Sequence, residues 1–361
     1  MKVLTVIGNR PQFIKAAAVS PLLRERDQEL LVHTGQHFDD SLSAVFFAEL
    51  GIPQPDVHLE ISGGSNTSQT SRMLAALEPV MAAEAPDCVL VYGDTNSTLA
   101  GALAAVQQRV PVAHVEAGMR SFDRSMPEEV NRVLTDHLSA LLLCSSEVAV
   151  ANLAREGIQG QAVSMVGDVM VDVAEAIQPR ARERQDLLAA LGLGAGAYLL
   201  ATAHRAGNVD DPQRLQALVD LLLGVDEQVV LPLHPRTRSR LEANGLLERL
   251  SDGGRVLITE PLGYLELTAL LVNARAVLTD SGGLQKEAYL AGVRCLTLRP
   301  ATEWVETVQN GWNTLVDLNL DQARAALAAP APPARPRLYG DGHAGARVVE
   351  ALRRAFPWHA T

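Results

Sequence analysis

The sequence has few of the features that would classify it at a glance. Cysteine occurs three times in 361 residues, at 88, 144 and 295, and never as CxxC. That excludes a disulfide framework or a cysteine-built metal centre, and leaves three small core hydrophobes in a reducing compartment. No apolar run approaches the roughly 18 residues of a membrane span, so no membrane partner is expected. The first apolar stretch, residues 3–7, is too short for a signal peptide, and a cytoplasmic location follows as the expectation. Positive charge is in deficit: 31 Lys and Arg against 42 Asp and Glu give a net charge of −11, which argues against a nucleic-acid surface. After the first strand there is neither the GxGxxG of a dinucleotide site nor the GxxxxGK[ST] of a P-loop. His33, His37 and His114 match no zinc-ligand spacing, so no metal is expected.

What the chain does have is alternation. Apolar residues make up 47% and charged residues 20%, the balance of a soluble globular protein long enough for two domains. Val- and Leu-rich runs alternate with helical patterns, the signature of parallel strands buried on both faces. The alternation runs through residue 167, slackens in the charged stretch 180–190, and restarts near 197. This predicts an α/β protein of two Rossmann-like doubly wound domains, residues 1–168 and 169–340. Beyond the Ala/Pro-rich connector 325–336, a terminal helix within 341–361 is expected to cross back onto the first domain. A helix over 71–83, with Arg72 in its first turn, follows a loop at 51–69.

Two strands set the chemistry of the first domain. One ends in Gly93-Asp94-Thr, the other in His114-Val-Glu116-Ala-Gly, and Pro127 then opens a helix bearing Glu128 and Glu129 in its first turn. Ligands of open α/β sheets sit outside the carboxyl ends of the strands, so Asp94, Glu116 and Glu128 are expected to converge on one crevice. Gathered carboxylates repel and raise one another's pKa, which suits proton transfer. Arg10 and Lys15 stand near a helix N-terminus, where backbone N–H groups favour an anion. In the second domain Ser281-Gly282-Gly283 opens a helix at a strand end, as a diphosphate cradle would, and Glu287 follows one turn later at reach of a ribose. His204 and Arg205 end another strand there. His204 can be read as a neutral proton donor, a diphosphate contact or a capped surface imidazole. Acids in one domain and an anion cradle in the other imply a central cleft that holds a reacting sugar and its leaving group separately.

These stretches, from Gly8-Asn-Arg-Pro-Gln to Tyr339-Gly-Asp-Gly and in order, resemble the non-hydrolysing UDP-N-acetylglucosamine 2-epimerases of the glycosyltransferase-B fold. The resemblance implies reversible inversion at C2 of a UDP-linked amino sugar, by proton loss, elimination of UDP to a glycal and re-addition. It implies no cofactor, a homodimer, and service in cell-surface polysaccharide biosynthesis. By motif position Asp94, Glu116, Glu128 and His204 match the catalytic residues. Arg10, Lys15, Arg205, Ser281, Gly282, Gly283 and Glu287 match the UDP and substrate contacts. Gln36, Arg72 and His234 match positions at which many bacterial members bind a second, activating UDP-sugar, although Asp39 replaces a glutamine there. Gln12, Lys286 and Trp304 depart from the commonest pattern and look like the branch acting on UDP-2,3-diacetamido-2,3-dideoxyglucuronate. The rival readings are a glycosyltransferase-B transferase, a hydrolysing epimerase, and a non-catalytic nucleotide-sugar sensor, which would have no need of three acids.

Overall fold

A computed structural model describes residues 1–36, 47 and 49–356 of the chain; His37 and Asp39 lie outside them. It divides into two compact units, Met1–Glu175 with Arg337–Thr361, and Ala176–Pro336.

The first unit is built on seven strands: β1 (Lys2–Ile7), β2 (Gln28–His33), β3 (Val57–His58), β4 (Cys88–Tyr92), β5 (Val112–Ala117), β6 (Leu141–Cys144) and β7 (Val163–Met165). Their order is β3-β2-β1-β4-β5-β6-β7, with every pairing parallel. Successive side chains of one strand feed opposite faces. Val3 and Ile7 join Leu90 and Tyr92 on one side, and Leu4 and Val6 join Val89 and Val91 on the other. The first of these layers is completed by Val348, Val349 and Leu352 of the helix Ala344–Ala355. Asp172 fixes the start of that helix, its carboxylate accepting the N–H groups of Ala344 at 3.1 Å and Gly345 at 2.8 Å.

The second unit carries β8 (Tyr198–Thr202), β9 (Gln228–Pro232), β10 (Val256–Thr259), β11 (Ala276–Thr279), β12 (Arg294–Thr297) and β13 (Asn313–Leu315). The order β10-β9-β8-β11-β12-β13 is again all parallel. Each sheet thus reverses its winding once, between β1 and β4 and between β8 and β11, and ligand crevices open at such switch points.

The elements depart from the sequence expectation in several places, β3 among them, which lies within the loop expected at 51–69. The helix expected over 71–83 spans Asn66–Glu84, because the Ser65 side chain accepts the Ser68 N–H at 3.2 Å and starts it early. Arg72 therefore lies in its second turn. The Ala-rich stretch near 325 belongs to the helix Leu320–Ala328 instead of a connector, and β13 adds a short sixth strand. Among the described residues no helix is long and apolar enough to cross a membrane.

Candidate active site

At the first switch point, β1 passes through Gly8-Asn9 into the helix Arg10–Ala17, capped by the Asn9 side chain. Gln12 locks this turn to the tip of β4. Its carbonyl oxygen accepts the Gly8 N–H at 2.8 Å, and its amide donates to the Tyr92 carbonyl at 2.9 Å and to Thr98 Oγ1 at 3.0 Å. A carboxylate could not donate either bond, which explains glutamine at this position.

Glu116 stands inside β5 at a register shift, with φ of +71°. Among the described residues it is the only non-glycine residue of a strand with positive φ. Such a conformation costs about 1–3 kcal/mol and persists only where its surroundings enforce it. Lys15, one turn into its helix, pairs with the buried Glu116 carboxylate. Gly93 packs against this pair: a Cβ there would stand 3.1 Å from Lys15 Nζ and 3.4 Å from Glu116 Oε2. Asp94, the next residue, receives the guanidinium of Arg132 at 2.6 and 2.9 Å. The same guanidinium reaches Glu129 at 3.0 Å.

The acids thus meet cations and not only one another: Lys15 is paired with Glu116, and Arg132 bridges Asp94 and Glu129. Burial pushes the Glu129 carboxyl up, but donors from Ser121, Arg132 and Phe122 outweigh it and hold it below the usual range. Glu128 occupies the first turn of the helix Pro127–Leu138, half-buried, where the helix dipole favours a carboxylate.

At the second switch point the organising group is Asp280, fully buried. Its carboxylate accepts the backbone N–H of His204 at 3.1 and 3.2 Å, that of Arg205 at 3.0 Å, and the Asn208 amide at 3.1 Å. The tips of β8 and β11 are thereby tied together. They present the His204 ring, 41% exposed, with Nδ1 3.7 Å from Asp280 Oδ1. Ser281 caps the helix Gly282–Ala291, accepting the Leu284 N–H at 3.4 Å. Gly282 packs closely on Glu303, since a Cβ there would fall 2.1 Å from Glu303 Oε1 and displace that carboxylate, while Gly283 leaves its backbone exposed. Burial pushes the Glu303 carboxyl up, but Arg299 at 2.7 Å outweighs it, with help from Arg205, and holds it below the usual range. Trp304 Nε1 donates to the Gly282 carbonyl at 2.8 Å, and Lys286 Nζ lies 4.1 Å from the centroid of the Trp304 ring. Glu287 sits half-buried in the same helix.

Of the residues matched to an activator site, Gln36 and Arg72 belong to the first unit and His234 to the second. Gln36 accepts the N–H and hydroxyl of Ser97 at 3.1 and 2.7 Å. Arg72, exposed, donates to the carbonyls of Ser62, Gly63 and Ser68. His234 caps the helix Pro235–Ala243 with its ring centroid 5.7 Å from that of His204. Among the described residues no group of three or more His, Cys, Asp and Glu side chains is placed to hold a metal ion.

A protein-family model described as UDP-N-acetylglucosamine 2-epimerase matches residues 22–353. The chain belongs to the UDP-N-acetylglucosamine 2-epimerase family. It is 48% identical, over 365 residues, to the UDP-2,3-diacetamido-2,3-dideoxy-D-glucuronate 2-epimerase of Pseudomonas aeruginosa, covering 98% of this chain and 100% of that one. It is 45% identical over 356 residues to a UDP-N-acetylglucosamine 2-epimerase homolog of Methanococcus maripaludis, covering 98% and 99%. The crystal structure of the Methanocaldococcus jannaschii UDP-GlcNAc 2-epimerase, in complex with UDP-GlcNAc and UDP, superposes with a TM-score of 0.91 at 40% identity, over 98% of this chain and all of that one. The two parallel α/β sheets are those of this epimerase fold.

Reading of the epimerase sequence assigned no role to Arg132 or Glu303 and took Asp280 only as the residue opening the Ser281 turn. Arg132 and Asp280 bond partners far away in sequence, and Glu303 is held by Arg299 four residues before it, with the distant Arg205 at 3.9 Å. The available signal was an acid directly before Ser281-Gly-Gly, and an arginine one helical turn after Glu128 and Glu129.

Proposed function

We propose that this epimerase reversibly inverts C2 of a UDP-linked N-acetylated amino sugar, in the sense UDP-GlcNAc to UDP-ManNAc. A carboxylate takes the C2 proton, and the electron pair of the C2–H bond forms the C1=C2 bond as the C1–O bond to UDP breaks. The product pair is UDP and a 2-acetamidoglucal, the groups departing from opposite faces. Return of UDP oxygen to C1, with a proton delivered to the other face of C2, completes the inversion. Asp94, Glu116 and Glu128 supply the acids, with His204 as the fourth catalytic group. Arg10, Lys15, Arg205 and the Ser281-Gly282-Gly283 turn neutralise the departing diphosphate, and Glu287 takes the ribose.

The observation that carries this reading is Glu116 itself. An acid held at positive φ on a strand tip, charge-paired with Lys15 and one strand from Asp94, is an expensive arrangement that stability alone does not call for. UDP-GlcNAc incubated with the enzyme in deuterated water should gain deuterium at C2 and epimerise without net release of UDP. Stoichiometric free UDP would point to hydrolysis or transfer. Asp94→Asn and Glu116→Gln should each lower turnover about a hundredfold or more while calorimetry finds UDP binding retained. Near-normal rates in both would remove the assignment of the acids.

One observation favours a second substrate. The identity to the Pseudomonas enzyme is 48%, and Lys286 with Trp304 reshapes the floor of the glycine turn. A side-by-side assay of UDP-GlcNAc and UDP-2,3-diacetamido-2,3-dideoxyglucuronate separates the two, the larger kcat/KM naming the substrate.

A further inference from the structure

Behind Asp94 and Glu116 lies a buried charged cluster that touches both of their turns. His114, fully buried in β5, meets an acceptor with each ring nitrogen. Nδ1 lies 2.7 Å from Asp136 Oδ1 and Nε2 lies 2.7 Å from the Gly93 carbonyl oxygen. The other oxygen of Asp136 accepts the Gly118 N–H at 3.0 Å and lies 2.7 Å from Arg120 Nη1. Asn152 holds the Gly118 carbonyl at 3.0 Å, and Arg120 is forked onto Glu156 at 2.7 and 2.8 Å.

A carbonyl oxygen only accepts. Asp136 receives donors on both oxygens, and although burial pushes its carboxyl up, His114 and Arg120 outweigh that and hold it below the usual range. Each ring nitrogen of His114 thus stands at hydrogen-bond distance from an oxygen of a different turn or helix. What the ring supplies is reach in two directions. One bond fixes Gly93, the residue before Asp94; the other, through Asp136, fixes Gly118, two residues after Glu116. Gly118 has no room for a side chain, since a Cβ there would stand 2.4 Å from the Ala149 carbonyl oxygen.

We propose that His114, oriented by Asp136, is a positioning residue for the epimerisation, clamping the Gly93–Asp94 turn and the Glu116–Gly118 turn in one geometry. This rests on the epimerase reading above. The ring touches no substrate and acts through the two acids.

His114→Asn keeps a donor at the Nδ1 position and abandons the Gly93 carbonyl, whereas His114→Gln extends a donor to the Nε2 position. Asn should lower kcat about ten- to a hundredfold, the scale of a misplaced reacting group. Gln should recover most of the loss, with the UDP dissociation constant unchanged in both. Equal kcat values for the two variants, or losses that merely follow Tm, overturn it. A wild-type enzyme that exchanges no C2 hydrogen in deuterated water sinks the epimerase reading instead, a result distinct from an active enzyme with a flat variant series.

Discussion

His33 shows how a single side chain can make this fold sensitive to mild acid. It is buried at the end of β2, where Nδ1 accepts the Gly35 N–H at 2.9 Å and the ring stacks 5.5 Å from His58. Burial, and then the neighbouring His58, bring its pKa down to about 4. The unfolded chain takes up this proton near pH 6.5 and the folded chain only near 4, so stability is complete above pH 6.5 and falls as pH drops through that window. The full linkage is about 3 kcal/mol. Urea unfolding at pH 7.5 and 4.5 should show the loss, and His33→Gln should flatten it. Glu129 carries its sensitivity at lower pH. Its folded pKa is depressed, so its contribution is present above the ordinary carboxylate range and is lost as pH falls below it. Glu129→Gln would place an amide among the N–H donors of Ser121 and Phe122, at a cost of about 1–3 kcal/mol. Turnover should fall with stability, both being measured on one preparation.

At the scale of elements, the chemistry stands on turns that leave no room for a methyl group. Gly282→Ala should drive Glu303 off Arg299 and tilt the start of the helix Gly282–Ala291, weakening UDP binding about tenfold or more with a small change in Tm. Calorimetry with UDP reads it directly. The strand tips that carry Asp94, Glu116, Ser281 and His204 were legible because Val and Leu runs ending in acid or glycine mark a parallel strand running into a turn. Other features were hidden for physical reasons. β13 is three residues long and partly polar, and Asn66-Thr-Ser-Gln-Thr has weak helix propensity, overridden by the Ser65 cap. The left-handed backbone at Glu116 has no glycine to announce it; it arises from the register shift against β6. The bonds of Arg132 to Asp94, and of Asp280 to His204, are tertiary facts that no local pattern encodes.

The whole molecule contains an unequal pair of units. The second is continuous in sequence, while the first is completed by residues after Pro336. Val348, Val349 and Leu352 of the helix Ala344–Ala355 are almost wholly buried against the same layer as Val3 and Ile7. Losing these three contributes about 5 kcal/mol or more of destabilisation, comparable to the whole stability of an ordinary domain. A chain ending after Pro336 should therefore keep a protease-resistant second unit and lose protection throughout the first, which limited proteolysis followed by mass spectrometry would show. Gly345→Ala is the mild version. Its Cβ would meet the Ala18 carbonyl at 2.1 Å, lowering Tm by several degrees without removing any apolar surface.

That late helix also dictates an order of events on the ribosome. The seven-stranded sheet is synthesised first, yet one of its faces stays only partly covered until the helix Ala344–Ala355 emerges. Meanwhile the six-stranded sheet, complete in its own sequence, is free to collapse. The half bearing the acids is begun before the other and completed after it, so its folding waits on a segment that the second unit does without.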